Sequence, residues 1–366
     1  MVWSPDPGAI GARIEDLDTP SLLLDLDTVE RNLAAMAKLF AGSRVRVRPH
    51  TKTHKVPILA HQQIELGAIG ICCAKLGEAE VMAAGGIPDI LVTTEVVGSA
   101  KIRRLLGIAK QARVITVVDD ATTATVLSDA AADANLRLRC LVDLNVGQNR
   151  TGVEPGEPAL ALAQHVAGLA GLELVGLQGY EGHLQHIVDA DERRAANARA
   201  MRLLNDTADL LATKGLPVEI VSTAGTGTGR FAAEWPRVTE IQPGSYVVMD
   251  SDYGRVQGLP FENALTLLAT VVSRRHNEAI LDAGTKVLST DAGPARPADL
   301  DATYAHQGDE HGKLTFANGN PLARGDKIEL IPSHCDTTIN LHDVYYVTRA
   351  GQVVGVWPIA ARGRSQ

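Results

Sequence analysis

Arg44-Val45-Arg46-Val47-Arg48-Pro49-His50-Thr51-Lys52-Thr53-His54-Lys55 is a short apolar alternation that runs directly into a basic, histidine-rich turn. Comparable strand-like runs occupy residues 68–73, 89–94, 114–119, 139–144, 174–178, 219–222 and 240–249, several of them ending in polar or glycine-rich segments. Between most of them lie stretches rich in Ala, Leu, Glu and Arg, such as 78–84, 121–132 and 191–213, that read as helices. Alternating strand and helix over this length predicts a parallel sheet with right-handed crossovers. Eight such strands, counted with residues 44–48, favour an α/β fold closed as a (β/α)8 TIM barrel, with an open doubly wound sheet as the alternative.

Ahead of the barrel, Asp18-Thr19-Pro20 leads into a strand at residues 21–26. Asp27 then reads as a helix N-cap, with Glu30 completing a capping box and Val29, Leu33, Met36 and Phe40 at helical spacing. Beyond about Gly258 the rhythm changes. Residues 265–273, 279–288, 327–332, 344–348 and 353–358 are strand-like, with Gly and Asp turns and little helix between them. The expected division is a barrel over 28–257 and an all-β domain over 258–366, the latter joined by the N-terminal strand of 15–27.

Composition narrows the function classes. The chain has 366 residues, 45% of them apolar and 21% charged, as in an ordinary soluble globular protein. A net charge of −8 and a pI near 5.8 leave no basic surplus for neutralising nucleic-acid phosphates. Cys72, Cys73, Cys140 and Cys335 form no CxxC pair, and reduced thiols in a cytoplasmic protein are expected. Residues 1–14 lack a signal-type apolar segment, and no run approaches the roughly 18 apolar residues of a membrane span.

Lys52 falls where the first barrel strand would end, the place where barrel chemistry collects. An amine there can form a Schiff base with an aldehyde if it is partly deprotonated, which Arg48, Lys55 and burial are expected to favour. An isolated lysine in a basic turn is by default a surface residue, but His50, His54 and Lys55 crowd this one. Ala224-Gly225-Thr226-Gly227-Thr228-Gly229 follows the seventh strand, and Gly244-Ser245-Tyr246 falls in the eighth. Both suit backbone N–H groups approaching a phosphate, though plain tight turns read alike; no Walker A lysine follows. Arg150, in the segment after the fifth strand, could face a ring nitrogen or a carboxylate, and Tyr180, after the sixth, could orient a ring. Either His183 or His186 could be an acid or base. In Ser333-His334-Cys335-Asp336, read as extended chain, His334 and Asp336 share a face and could hold one Mn²⁺, Mg²⁺ or Zn²⁺ ion, with Cys335 pointing away; a salt-bridged pair is the alternative.

Four motifs together carry a resemblance over nearly the whole chain: the 48–55 turn, Met249-Asp250-Ser251-Asp252-Tyr253-Gly254, Asp309-Glu310-His311-Gly312 and Pro332-Ser333-His334-Cys335-Asp336. They resemble the D-threonine aldolase and D-serine dehydratase-like family of fold-type III pyridoxal phosphate (PLP) enzymes, with an alanine racemase-like barrel. The resemblance implies that Lys52 carries PLP, that Arg150 sits at the pyridine nitrogen, and that Tyr180 lies beside the ring. It implies that Gly225, Thr226, Gly227, Ser245 and Tyr246 hold the phosphate. His334 and Asp336 would bind a divalent metal, His186 would be the candidate base at the substrate's β-hydroxyl, and Asp309 would enter the metal's water shell. It further implies a homodimer whose sites form between the barrel of one subunit and the β domain of the other.

Within that family a His-x-Asp metal pair resembles the aldolases and a His-x-Cys pair the dehydratases. His334-Cys335-Asp336 therefore points to a metal-dependent aldolase, a lyase cleaving D-3-hydroxy amino acids of the D-threonine, D-allo-threonine or D-phenylserine type to glycine and an aldehyde. A D-serine or D-3-hydroxyaspartate dehydratase giving a 2-oxo acid and ammonia is the alternative. A non-catalytic PLP-binding barrel is more distant, because it would leave the β domain unexplained.

Overall fold

The structure, a computed structural model, describes residues 7–366; residues 1–6 of the N-terminal stretch lie outside the described residues. The chain opens with β1 (Ser21–Asp25) and α1 (Leu26–Leu39). It then alternates through β2 (Arg46–Val47), α2 (Pro57–Glu65), β3 (Ile71–Cys73), α3 (Leu76–Ala84), β4 (Asp89–Val92), α4 (Ser99–Ala109), β5 (Arg113–Val118) and α5 (Ala121–Asp133). The series continues with β6 (Leu138–Asp143), α6 (Glu157–Ala167), β7 (Leu172–Gly179), α7 (Ala190–Thr213), β8 (Ile220–Thr223), α8 (Gly229–Ala232) and β9 (Glu240–Ile241).

β2 to β9 form a parallel sheet in the order β2-β9-β8-β7-β6-β5-β4-β3. Its two ends join: Ile69 N–H donates to Val47 O at 3.0 Å, Cys72 N–H to Pro49 O at 2.7 Å, and Thr51 N–H to Cys72 O at 2.9 Å. The sheet is thus a closed barrel rather than an open one. Cys72, Leu91, Ile115, Val117, Leu141, Val175 and Ile220 fill its interior as one buried cluster, while the outward strand faces pack against the helices. Burial on both faces is why these strands read as unbroken apolar runs.

The second unit comprises β10 (Leu265–Arg274), β11 (Glu278–Leu281), β12 (Arg296–Pro297), β13 (Thr303–His306), β14 (Gly312–Thr315), β15 (Lys327–Ile331), the short α9 (Cys335–Ile339), β16 (Val344–Arg349) and β17 (Gln352–Pro358). Its main path runs β13-β14-β11-β10-β1-β16-β17. β1 pairs antiparallel with β10 and parallel with β16, so the N-terminal strand is an inner strand of this sheet. No helix among the described residues is long and apolar enough to cross a membrane.

Three local expectations are corrected. The 240–249 run is not one strand: pairing stops at Ile241, and Ser245–Val247 form a 3-10 turn. Pro243 has no N–H to continue a ladder, and Gly244 follows it. The N-cap of α1 is Asp25, whose side chain accepts from Thr28 N–H at 2.7 Å, because the helix starts directly at the end of β1. Asp27 lies in the first turn and pairs with Arg349. Finally, only His334 is extended; Cys335 and Asp336 already belong to α9.

Arg48 points into the barrel rather than toward Lys52. Its guanidinium bridges Asp89 at 2.5 Å and Glu240 at 3.0 Å, at the N-terminal ends of β4 and β9, and all three side chains are buried. Arg48→Met would leave Glu240 buried without its cation, and Asp89 with Arg113 alone. Breaking a buried pair in this way costs about 3–5 kcal/mol. The urea midpoint should fall accordingly, and an unchanged midpoint would refute the assignment.

Candidate active site

At the C-terminal ends of the barrel strands the loops surround a cavity of about 530 Å³. The chain leaves β2 and turns tightly, with Lys55 N–H bonded to Thr51 O at 2.8 Å. His50 braces that turn: its Nδ1 accepts from Lys52 N–H at 3.3 Å, so Nε2 carries the proton and meets Thr93 Oγ1 at 3.2 Å. Burial, aided by Lys52, drives the His50 pKa well below the usual imidazole value, leaving it neutral.

Lys52 reaches across the cavity and forms an ion pair with Asp336. Burial would lower the lysine pKa, but the Asp336 carboxylate outweighs it, and the net shift is upward. This corrects the expectation that Arg48 and Lys55 promote a deprotonated amine. Arg48 is neutralised by Asp89 and Glu240, and Lys55 by Glu78 at 2.5 Å. Asp336 in turn is held well below the ordinary carboxylate range; burial opposes this, and Lys52 and His334 override it.

The loop after β6 carries Arg150, which stands 5.8 Å over the ring of Tyr180. Asp143 accepts from Gln178 Nε2 at 2.8 Å and from Thr151 Oγ1 at 3.1 Å, fixing both ends of this loop. Burial, with Glu95 alongside, pushes the Asp143 carboxyl up to about 8. Gly152 closes the loop at φ +97°, where a Cβ would lie 2.5 Å from the Leu144 and Asn145 backbone.

Gly225, Thr226, Gly244 and Ser245 all line the cavity. Among the described residues the backbone N–H groups of Thr226 and Ser245 find no acceptor, whereas Gly227 N–H is taken by Gln185 Oε1 at 2.9 Å. Tyr246 N–H goes to Thr226 Oγ1 at 3.1 Å, and its hydroxyl accepts from Gln63 Nε2 at 3.0 Å. Of the phosphate-site candidates, Gly225, Thr226 and Ser245 therefore face the cavity, while Gly227 and Tyr246 buttress it from behind. Backbone N–H groups that lack a protein acceptor at a cavity wall can form an anion cradle.

Glu181 supports that cradle and was not singled out by its sequence. Its buried carboxylate accepts from Thr228 Oγ1 at 2.6 Å, Ala224 N–H at 3.1 Å and Asn197 Nδ2 at 3.1 Å. The signal was adjacency to Tyr180 alone, which carries no chemistry without the fold.

The β domain closes the cavity. Asp250 accepts from Tyr253 N–H and Cys335 N–H, each at 2.8 Å, and so ties the 249–254 motif to the start of α9. Asp252 holds His186 Nδ1 at 2.7 Å, and the His186 ring lies against Tyr253 with centroids 4.3 Å apart. Burial lowers the His186 pKa. His186 lines the cavity and is braced in this way, whereas His183, though near Gly147, does not line it. His334 also lines the cavity, with Nδ1 at 2.6 Å from Asp291. The Cys335 thiol is buried and its pKa is pushed well up by that burial, so it stays a neutral thiol beside Asp336. Asp309 sits between β13 and β14, its carbonyl accepting from Lys286 N–H at 3.1 Å.

Lys52, His334 and Asp336 meet within one chain. This pair therefore needs no second subunit to reach Lys52. Among the described residues no group of three or more His, Cys, Asp or Glu side chains could hold a metal. An imidazole with one carboxylate fits a cation that keeps most of its waters, as Mg²⁺ and Mn²⁺ do. An aldehyde-reactive amine, an aromatic ring, a guanidinium and an anion cradle in a cavity of this size fit PLP.

Comparison with known proteins agrees with this fold. The family model described as "Alanine racemase, N-terminal domain" matches residues 24–252, and a model for a serine dehydratase-type domain matches residues 264–348. The chain is 40% identical to a D-threonine aldolase of an Arthrobacter species, over 99% of this chain and 97% of that protein. It is 38% identical to a 3-hydroxy-D-aspartate aldolase of Paracoccus denitrificans strain Pd 1222, covering 98% and 95%. Among solved structures, the D-threonine aldolase of Filomicrobium marinum is 43% identical and superposes with a TM-score of 0.96, covering 100% of both chains.

Proposed function

Because the chain belongs to the D-threonine aldolase and D-serine dehydratase-like family, we propose that it is an aldehyde-lyase that cleaves D-3-hydroxy amino acids to glycine and an aldehyde. The observation that carries this reading is the meeting of Lys52, His186 and the His334–Asp336 pair at one cavity that also holds unpaired N–H groups. Lys52 would hold PLP, with Gly225, Thr226 and Ser245 toward its phosphate and Tyr180 and Arg150 toward its ring, and the cofactor would supply an electron-accepting ring that stabilises negative charge at the substrate Cα. His334 and Asp336 would hold a divalent ion, Mn²⁺ or Mg²⁺ before Zn²⁺, which would supply Lewis acidity at the β-hydroxyl.

The remaining work falls to the protein. His186, oriented through Nδ1 by Asp252, presents Nε2 to the cavity and takes the β-hydroxyl proton. The alkoxide electrons then form the aldehyde C=O as the Cα–Cβ bond breaks, and protonation at Cα completes glycine. The carboxylate of Asp336, rather than the neutral Cys335 thiol, faces Lys52, which supports the aldolase over the dehydratase. We propose a homodimer as the working form, with the small-molecule substrate entering from the open side of the cavity.

His186→Ala should reduce kcat by roughly 10²–10⁴-fold with the cofactor absorbance unchanged. The neutral imidazole is the active form, and burial lowers its pKa, outweighing Asp250. The acid limb of the kcat/KM profile should therefore lie below the ordinary histidine value of about 6.5. A limb above that value would remove His186 from the role. The reaction itself is tested by incubating the PLP- and Mn²⁺-loaded protein with D-threonine and identifying the products. Glycine with acetaldehyde is expected; 2-oxobutanoate with ammonia would make it a dehydratase.

A further inference from the structure

Asp291 stands 43 residues before His334 in the chain, yet its Oδ2 lies 2.6 Å from His334 Nδ1. A carboxylate can only accept, so Nδ1 carries a proton, and in the neutral ring the Nε2 lone pair is left free. Asp291 Oδ1 is occupied as well, accepting from Thr337 Oγ1 at 2.9 Å. The loop that carries it is pinned to the same turn: Ser289 N–H donates to Thr338 Oγ1 at 3.2 Å, and Ser289 Oγ donates to His334 O at 3.3 Å. A loose surface ion pair would not have both carboxylate oxygens engaged and its own loop fastened to its partner's backbone.

We propose that Asp291 is a positioning residue that fixes the Nδ1–H form and ring orientation of His334 so that Nε2 is presented to a divalent cation. This rests on the reading of His334 and Asp336 as the metal pair. Its physical basis is general: a carboxylate behind a ligating imidazole sets the tautomer, makes the ring a better donor, and typically changes metal affinity 10–100-fold.

The test is a Mn²⁺ titration of chelator-stripped, PLP-loaded protein, reading free Mn²⁺ by electron paramagnetic resonance, for wild type, Asp291→Ala, Asp291→Asn and His334→Ala. Asp291→Ala should bind Mn²⁺ about 10–100-fold more weakly. Asp291→Asn should lose less, because its amide oxygen still accepts from Nδ1–H and the loop keeps its shape. Wild-type affinity in both Asp291 variants would overturn the proposal. So would a loss in Asp291→Ala as complete as in His334→Ala, because Asp291 would then be a ligand itself. Failure of the underlying reading looks different: wild type takes up no Mn²⁺, or His334→Ala retains full affinity, and the role of Asp291 falls with it.

Discussion

Lys52→Ala should yield a protein without the visible absorption of bound PLP, and its aldolase turnover should fall on the order of 10³-fold or more, as for loss of other covalent-catalysis groups. Among the described residues, Lys52 lines the cavity together with Thr226 and Ser245 and pairs with the metal-candidate carboxylate, whereas Lys75, also at the cavity wall, is the N-cap of α3. Removing it also leaves Asp336 without its cation, so a structural effect must be separated from a chemical one. Lys52→Arg makes that separation. A guanidinium keeps the charge facing Asp336 but cannot attach an aldehyde, so both variants should lose the absorption band while Lys52→Arg keeps the wild-type melting midpoint. Persistence of the band in Lys52→Ala, with borohydride trapping the cofactor on another residue, would displace Lys52 from its role.

Chelation of the metal, or His334→Ala, comes next in size. A Lewis acid at a developing alkoxide contributes several kcal/mol, which corresponds to roughly 10²–10⁴-fold in rate. Asp336→Asn should lose about as much, and adding Mn²⁺ should restore chelated wild type but neither variant. PLP absorbance should survive all three treatments, because the cradle and Lys52 are untouched. Full activity after exhaustive chelation would instead make His334–Asp291 and Lys52–Asp336 simple ion pairs.

Most of the barrel was legible because its signals are local. Strands buried on both faces read as continuous apolar runs between helical stretches, and β3 to β8 fall within a few residues of the expected spans. Local reading failed where a neighbour in space decided the outcome. Asp25 capped α1 because β1 ends there to pair with β10, and the eighth strand stopped where Pro243 met the barrel rim. The chain turned helical at Cys335, where Asp250 binds the Cys335 N–H, so the alternation argument for His334 and Asp336 reached the right neighbourhood through the wrong backbone.

By itself the sequence determined the strand–helix order, the position of Lys52 at a strand end and the glycine-rich segments, since these depend on residues a few places apart. Only the tertiary structure decided that Lys52 meets Asp336, 284 residues away, that Asp252 orients His186, and that Asp291 backs His334. It also decided that Arg48 serves the barrel interior instead of the lysine's charge. The reason is that an ionisable side chain takes its state from whichever charges and dipoles surround it in the dry interior, and chain folding, not chain order, selects those neighbours.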